Sequence, residues 1–215
     1  MDLLFDTFAS HIYHADYQIV ESWLDIFEKQ GWVEWKNFLS PEEAMGIRRE
    51  IEMVQSTKGF RRAAIGKLYQ QQVDTGQRGD FISWIDSTHP LPFTRLYLDR
   101  MSELVIELNR NFYLGIQDFE CHYAHYPPGS FYKKHVDRHK NGSPRRVSSV
   151  LYLNTDWLEQ DGGELRIYSD EEAFRTILPQ LGTLALFLSE LEHEVVITSR
   201  DRMSITGWML NEKLF

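Results

Sequence analysis

Phe131-Tyr132-Lys133-Lys134-His135-Val136-Asp137 is the stretch on which the reading of this chain turns. It lies between two turn signals, Pro127-Pro128-Gly129 and Asn141-Gly142-Ser143-Pro144, and reads as a short strand. Similar aromatic-rich segments follow Gly115 at 117–126, 146–154, 164–168, 183–189, 194–197 and 203–211, with a further break at Asp161-Gly162-Gly163. Seven or eight strands at this spacing suggest a sandwich or a double-sheet jelly roll. The preceding half looks helical. Residues 16–30 carry Ile19, Val20, Trp23, Leu24 and Phe27 near the helical period, and Gly31 ends the run. Residues 32–39 read as a short strand. In Ser40-Pro41-Glu42-Glu43 the serine can cap a helix, the proline can open it and Glu43 can close a capping box, so a helix is expected to about residue 55. A second long helix fits 94–113, with Leu98, Met101, Leu104 and Leu108 on its apolar side. Residues 61–77 are polar, with Gln70-Gln71-Gln72 among them, and read as a loop. Helices first and strands after give an α+β chain, with the helices packed on one face of the strand core.

Residues i and i+2 of a strand point to the same face. His135 and Asp137 can therefore converge, and His193, 56 residues beyond Asp137, must then come from a distant strand folded alongside. Two neutral imidazoles and one carboxylate on one face of a metal leave the opposite positions open, which is the ligand set of non-haem Fe(II) oxygenases. Alone the spacing is weak, because His-x-Asp arises by chance in many chains. His122, His125 and His139 are nearby alternatives. His125, on a candidate strand, is expected to be packed or hydrogen-bonded, and His139 to sit in a basic loop. Nine positions after His193 comes Arg202, in Arg202-Met203-Ser204-Ile205-Thr206-Gly207-Trp208. It is either an ordinary strand-face arginine or a clamp. A guanidinium fork matches a carboxylate in two bonds and stays charged when buried, so a clamp here would take the far end of a dicarboxylate whose near end sits on the metal.

The 215 residues fit one domain with a sizeable core, and 42% hydrophobic and 13% aromatic content marks a globular chain. A formal charge of −9 argues against nucleic-acid binding, which needs a basic field. Lys133, Lys134, Arg138, Lys140, Arg145 and Arg146 nevertheless cluster around the candidate ligands. They form either a solvated basic loop or a positive mouth that draws in an anionic partner. The single cysteine, Cys121, allows no intrachain disulfide. No signal peptide is evident at the N-terminus, and no apolar run is long enough to span a membrane, so a soluble, cytoplasmic protein with no membrane partner is expected.

With these residues placed, the chain resembles the Fe(II)/2-oxoglutarate-dependent oxygenases, and among them the prolyl hydroxylases that modify hypoxia-inducible factor and their bacterial relatives. The resemblance covers roughly residues 60 to 210. It rests on Arg78-Gly79-Asp80-Phe81-Ile82-Ser83-Trp84-Ile85, Tyr132–Asp137, Leu151-Tyr152-Leu153-Asn154, Gly162-Gly163-Glu164-Leu165-Arg166-Ile167 and 202–208, in that order. It implies a single oxygenase domain over 1–215. Residues 1–115 would give mainly helical support with a substrate loop at 61–79, and 116–211 a double-stranded β-helix core. His135, Asp137 and His193 would bind Fe(II), and Arg202, Tyr152 and Ser204 would hold 2-oxoglutarate. Trp84, Tyr132, Arg146 and Trp208 would line the substrate pocket. On residue type alone, Trp84 and Trp208 read as core aromatics and Tyr152 as a hydrogen-bonded strand residue. The implied cofactors are Fe(II), 2-oxoglutarate and O2, with ascorbate as an accessory reductant. The implied reaction is hydroxylation of a prolyl residue in a protein, by analogy a translation elongation factor, with succinate and CO2 as co-products. The competing readings are the same chemistry on a free amino acid, a small metabolite or another side chain, and a jelly-roll module that binds metal without turnover.

Overall fold

The capping signals before residue 115 act as their chemistry dictates. The computed structural model describes residues 17–57, 59–63, 74, 76–138, 142–169 and 173–213. Helix α1 (Tyr17–Gln30) stops at Gly31, whose φ of +75° suits a residue without a Cβ. Helix α2 (Pro41–Thr57) opens on the expected box. The Ser40 N–H donates to Glu43 Oε2 at 2.8 Å, and the Glu43 N–H donates to Ser40 Oγ at 3.3 Å. Helix α3 (Pro92–Phe112) follows Leu91, which offers no side-chain cap. Glu50 of α2 supplies one instead, accepting from the Phe93 and Thr94 N–H groups at 2.7 and 2.9 Å and from the Thr94 hydroxyl at 2.7 Å. A carboxylate at that end also complements the helix dipole, so one side chain starts α3 and fixes it to α2.

The strands differ from expectation at their edges. Strand β1 (Trp32–Trp35) is half of the anticipated 32–39, because Asn37 takes a φ of +57° and turns the chain into α2. Two unexpected strands, β2 (Arg61–Arg62) and β3 (Phe81–Trp84), pair with each other, and β3 pairs with β4 (Asp118–Tyr126). Arg61 and Arg62 thus form an edge strand instead of opening a loop. Residues 64–73 and 75 of that anticipated loop lie outside the described residues. The others are β5 (Tyr132–His135), β6 (Arg145–Tyr152), β7 (Leu165–Tyr168), β8 (Phe174–Ile177), β9 (Leu184–Leu188), β10 (His193–Val195) and β11 (Arg202–Leu210). Strand β8 escaped notice because three of its four residues are exposed and it lacks a buried alternation.

The described strands number eleven, eight of them after Gly115 as the spacing suggested, and form two antiparallel sheets. The larger runs β1-β9-β6-β11-β4-β3-β2 and the smaller β5-β10-β7-β8, a jelly-roll arrangement with helices beside it. The two-residue period of a strand divides the larger sheet's side chains between two interiors. Val147 and Leu151 of β6 pack with Trp23, Ile47 and Met101 of the helices. Val150 and Tyr152 of the same strand pack with Leu165 and Ile167 of β7 and Val195 of β10, between the sheets. No helix among the described residues is long and apolar enough to cross a membrane.

Candidate metal and co-substrate site

Strand pairing brings the two histidines together. His135 ends β5, His193 begins β10, and the two are direct partners across the ladder. Asp137 lies two residues past the end of β5 rather than in it, yet it still turns to the same point. One ligand atom from each of the three lies within 4.8 Å of the others. Among the described residues no other group of three His, Cys, Asp or Glu side chains converges in this way. Asp137 Oδ1 is 3.8 Å from His135 Nε2, and Oδ2 is 3.5 Å from His193 Nε2.

Each imidazole is fixed from behind. His135 Nδ1 lies 2.7 Å from the Lys133 carbonyl oxygen, and His193 Nδ1 lies 2.9 Å from that of Leu191. A carbonyl can only accept, so both Nδ1 atoms carry the proton and both Nε2 lone pairs face Asp137. Burial pushes the His135 imidazole down to about 3, and the neighbouring His193 adds to this. Burial opposes the charge on Asp137, but the two imidazoles, Arg145 and the Ser148 hydroxyl hold its carboxyl down to about 2. Ser148 Oγ donates to Asp137 Oδ2 at 2.7 Å and lies 2.9 Å from Ser189 Oγ. Two imidazole Nε2 atoms and an anionic carboxylate on one side of a point are the donor set that suits Fe(II).

The second half of the site stands on β11 and β6. Arg202 is 1% exposed. Its Nε donates to the Gly163 carbonyl at 2.8 Å and its Nη1 to Ser204 Oγ at 3.4 Å, while Nη2 has no hydrogen-bond partner among the described residues. Its guanidinium carbon lies 4.8 Å from the Tyr126 ring and 5.1 Å from the Tyr152 ring. The Tyr152 hydroxyl, also buried, has no hydrogen-bond partner among the described residues. Burial raises its pKa, so it remains a donor. The turn that presents the Gly163 carbonyl needs both its glycines. A Cβ at Gly162 would lie 2.1 Å from the Ile197 carbonyl oxygen, and one at Gly163 would lie 3.1 Å from Arg202 Cδ. Two buried donors without partners, on the strands beside three convergent ligands, fit a dicarboxylate.

His135, Asp137, His193, Arg202, Tyr132 and Trp208 all line one cavity. Tyr152 and Ser204 sit behind it against Arg202. Trp84 is half exposed at the edge, its ring centroid 6.3 Å from that of Trp208. Arg146 does not line the cavity. Arg145 instead lies over the Trp208 ring at 3.6 Å and pairs with Glu120 at 2.9 Å. The sequence reading missed Arg78, Tyr126, Ser148 and Thr206, all of which line the cavity. Ser148 is four residues before Tyr152, and Thr206 stands between Ser204 and Trp208 at two-residue steps, so alternation alone would have found both. His122 packs between Trp84 and Trp208, with centroids at 5.2 and 5.4 Å. His125 bonds Gln55 at 3.1 Å and Asp201 at 2.7 Å. His139 and Lys140 lie outside the described residues. Of the basic residues read as either a solvated loop or a positive mouth, Lys134 pairs with Glu192 at 2.8 Å and Arg138 with Glu190 at 3.4 Å.

Comparison with known proteins agrees with this geometry. Residues 121–210 match the model of the 2OG-Fe(II) oxygenase superfamily. Human Egl nine homolog 1 is 33% identical over 184 residues, which cover 80% of this chain and 42% of that protein. The chain spans about half the length of the curated relatives it matches. A prolyl hydroxylase from Trichoplax adhaerens, solved with a hypoxia-inducible-factor peptide, superposes with a TM-score of 0.76 at 26% identity, covering 87% of each chain. A prolyl-4-hydroxylase from Pseudomonas putida superposes with a TM-score of 0.81 at 34% identity, over 91% of this chain and 100% of that one. Sharing a third of its residues with a solved hydroxylase that it spans end to end, the chain belongs to the 2OG-Fe(II) oxygenase superfamily.

Proposed function

We propose that this protein is a 2-oxoglutarate- and Fe(II)-dependent dioxygenase that hydroxylates a prolyl residue within a protein. The observation that carries the reading is the pairing of two structures across one cavity. On one side two Nε2 atoms and a carboxylate converge, and on the other Arg202 Nη2 and the Tyr152 hydroxyl are buried donors without partners. His135, Asp137 and His193 would hold Fe(II). Bound there with 2-oxoglutarate and O2, the metal supplies the oxidant that inserts oxygen into a C–H bond, leaving succinate and CO2.

The side chains do the rest. Lys133 and Leu191 carbonyls keep both Nδ1 protons in place, so the ligating lone pairs need no rearrangement. Ser148 holds one Asp137 oxygen, which fixes the direction of the carboxylate. The free Arg202 Nη2 and the Tyr152 hydroxyl would receive the distal carboxylate of 2-oxoglutarate, and the fork geometry sets its angle. Phe187, Val150, Leu165 and Val195 give that end an apolar lining and keep water from it. Tyr132 and Trp208 form flat walls that suit a compact apolar ring such as proline, and Arg78 and Arg145 beside them can hydrogen-bond a peptide carbonyl. The two solved neighbours, a prolyl-4-hydroxylase and a prolyl hydroxylase carrying a peptide, support the prolyl assignment.

The test has two parts. The purified protein with Fe(II) and 2-oxoglutarate should form succinate. Incubation with a soluble protein extract should then add single oxygens to proline, as read by peptide mass spectrometry. Oxygen found on a free metabolite or on another side chain would overturn the prolyl assignment while leaving the oxygenase reading standing.

A further inference from the structure

The ring plane of His135 is set by a stack that starts far away in sequence. Tyr132 lies face to face with the imidazole, with ring centroids 3.6 Å apart and planes 16° from parallel. The Arg78 guanidinium carbon sits 4.2 Å from the Tyr132 centroid. At such short distances the two neighbours must occupy opposite faces of the phenol ring. Asp80 grips the guanidinium twice, at 2.7 Å from Nε and 2.6 Å from Nη2. This pair is nearly dry, with 10% of the arginine side chain and none of the aspartate exposed. The backbone reinforces it. The Gly79 N–H donates to the Phe131 carbonyl at 2.9 Å, and the Lys133 N–H donates to that of Gln77 at 3.0 Å.

A local irregularity makes the stack possible. Residues three apart on a regular strand face opposite ways. On β5, however, Tyr132 pairs with Val195 and His135 with His193, so three steps on one strand match two on the other. That is a bulge, a device that re-aims side chains, and here it puts the tyrosine ring on the ligand. The phenol ring is electron-rich on both faces. One face meets a cation, Arg78. The other meets an imidazole that turns electron-poor when its Nε2 ligates a divalent metal, so the contact strengthens on metal binding. The Nδ1 bond to Lys133 fixes the tautomer of His135, and the stack fixes the tilt.

We propose that Tyr132 and Arg78 are positioning residues for the ligand His135, with Asp80 holding the guanidinium, and that part of the site's affinity for a divalent metal comes from this stack. The proposal rests on the metal-site reading above, and its test needs no turnover. Co(II) affinity is measured by chelator competition on the full chain, alongside the Co(II) visible spectrum and the melting temperature of the metal-free protein. Tyr132→Leu removes the ring and should weaken Co(II) binding about 10-fold, the scale for partners that orient a ligand. Its spectrum should shift and its metal-free melting temperature should hold. Tyr132→Phe keeps the ring and should restore both affinity and spectrum. The double variant Arg78→Gln/Asp80→Asn avoids leaving a buried carboxylate unpaired and should weaken binding about 3-fold. Co(II) affinity and spectrum unchanged in Tyr132→Leu and in the double variant would overturn the proposal. So would a Tyr132→Phe as weak as Tyr132→Leu. A parent protein that binds no Co(II) would instead sink the metal-site reading, and this proposal with it.

Discussion

The seven-stranded sheet faces two interiors, and alternate residues of the same strands line them with different chemistry. On the helix side Val147, Leu151, Leu186, Ile205 and Met209 interlock with α1, α2 and α3. Polar groups there mostly find partners within the protein, as Glu50, Thr94 and Tyr123 do, although Trp23 Nε1 has none among the described residues. On the side facing the smaller sheet, Asp137, His193 and Arg202 are buried together, and Arg202 Nη2 and Tyr152 Oη lack partners. A buried donor without a partner costs about 1–3 kcal/mol. The first interior therefore holds the fold, and the second uses some of that stability to keep donors ready for a ligand. The comparison makes a sharp demand. Substitutions on one side should change stability and leave binding alone, and those on the other should do the reverse.

The largest effect expected is Asp137→Ala. It removes the anionic ligand, so metal content measured after dialysis and succinate formation should both fall to background. The metal-free protein should melt somewhat lower than the parent, because a carboxyl held down to about 2 contributes stability at neutral pH. Full metal occupancy in this variant would dissolve the distinction at its strongest point. The counterpart is Leu151→Ala on the other face of β6. Leu151 is fully buried, and its truncation should cost about 2–5 kcal/mol of unfolding free energy by urea titration. Co(II) affinity, measured well below the melting temperature, should match the parent.

His122 tests the boundary between the two interiors through pH. Burial, aided by the nearby Arg78 charge, pushes this imidazole down to about 4. An unfolded histidine takes its proton near 6.5. Between these values the unfolded chain binds a proton that the folded one refuses. His122 alone then lowers stability as pH drops from about 6.5 to about 4, by about 3 kcal/mol at most, and His135, held at about 3, adds its own fall over the same range with or without His122. The Asp137 contribution, with its carboxyl held at about 2, is lost only below that window. His122→Leu cannot take the proton, so its metal-free stability should change less between pH 7 and pH 4.5. Parallel acid limbs in the two proteins would place the acid sensitivity elsewhere. Next in size is Arg202→Lys, which keeps a charge but loses the fork. Loss of one charged hydrogen bond, about 2 kcal/mol, should weaken 2-oxoglutarate binding to the metal-loaded protein by about 10-fold or more, with the melting temperature little changed. Unchanged affinity in both Arg202→Lys and Tyr152→Phe would remove the clamp.

Much of this site was legible because it obeys strand alternation. His135, Asp137, His193 and Arg202 are ligand-type and anion-binding residues at spacings that two-residue periodicity can bring together. Where the ladder breaks, the sequence misleads. The bulge between β5 and β10 puts Tyr132 on the same face as His135. A second irregularity, between Met209 and Leu210, shifts β6 so that Arg145 pairs with Leu210. Regular alternation from Ser148 would send Arg146 to the cavity, yet Arg145 lies on Trp208. Arg78 was invisible for another reason, since it reaches the site only through the pairing of residues 77–79 with β5. The helices were read closely because caps are local. Strands β2 and β8 were not, because two polar residues and one exposed edge carry no period.

The smallest effect expected gives the cleanest version of the comparison, since it concerns two consecutive serines. Ser148 and Ser149 are both fully buried on β6, and the pleat sends them to opposite interiors. Ser148 Oγ donates to Asp137 Oδ2 at 2.7 Å. Ser149 Oγ donates to the Gly207 carbonyl at a long 3.4 Å, on the helix side and away from Asp137. Alanine removes one hydroxyl from either place, with the same change in volume and strand propensity. If the division between the interiors is real, Ser148→Ala should loosen Co(II) by about 10-fold, the low end for a partner that aims a ligating carboxylate. Ser149→Ala should leave Co(II) affinity at the parent value. Both should lose about 1 kcal/mol of stability or less. Equal loss of metal affinity in the two variants would mean that the sheet transmits disturbance from one face to the other. Loss in neither would mean that Asp137 is held in place by its imidazole neighbours and the chain following β5 alone.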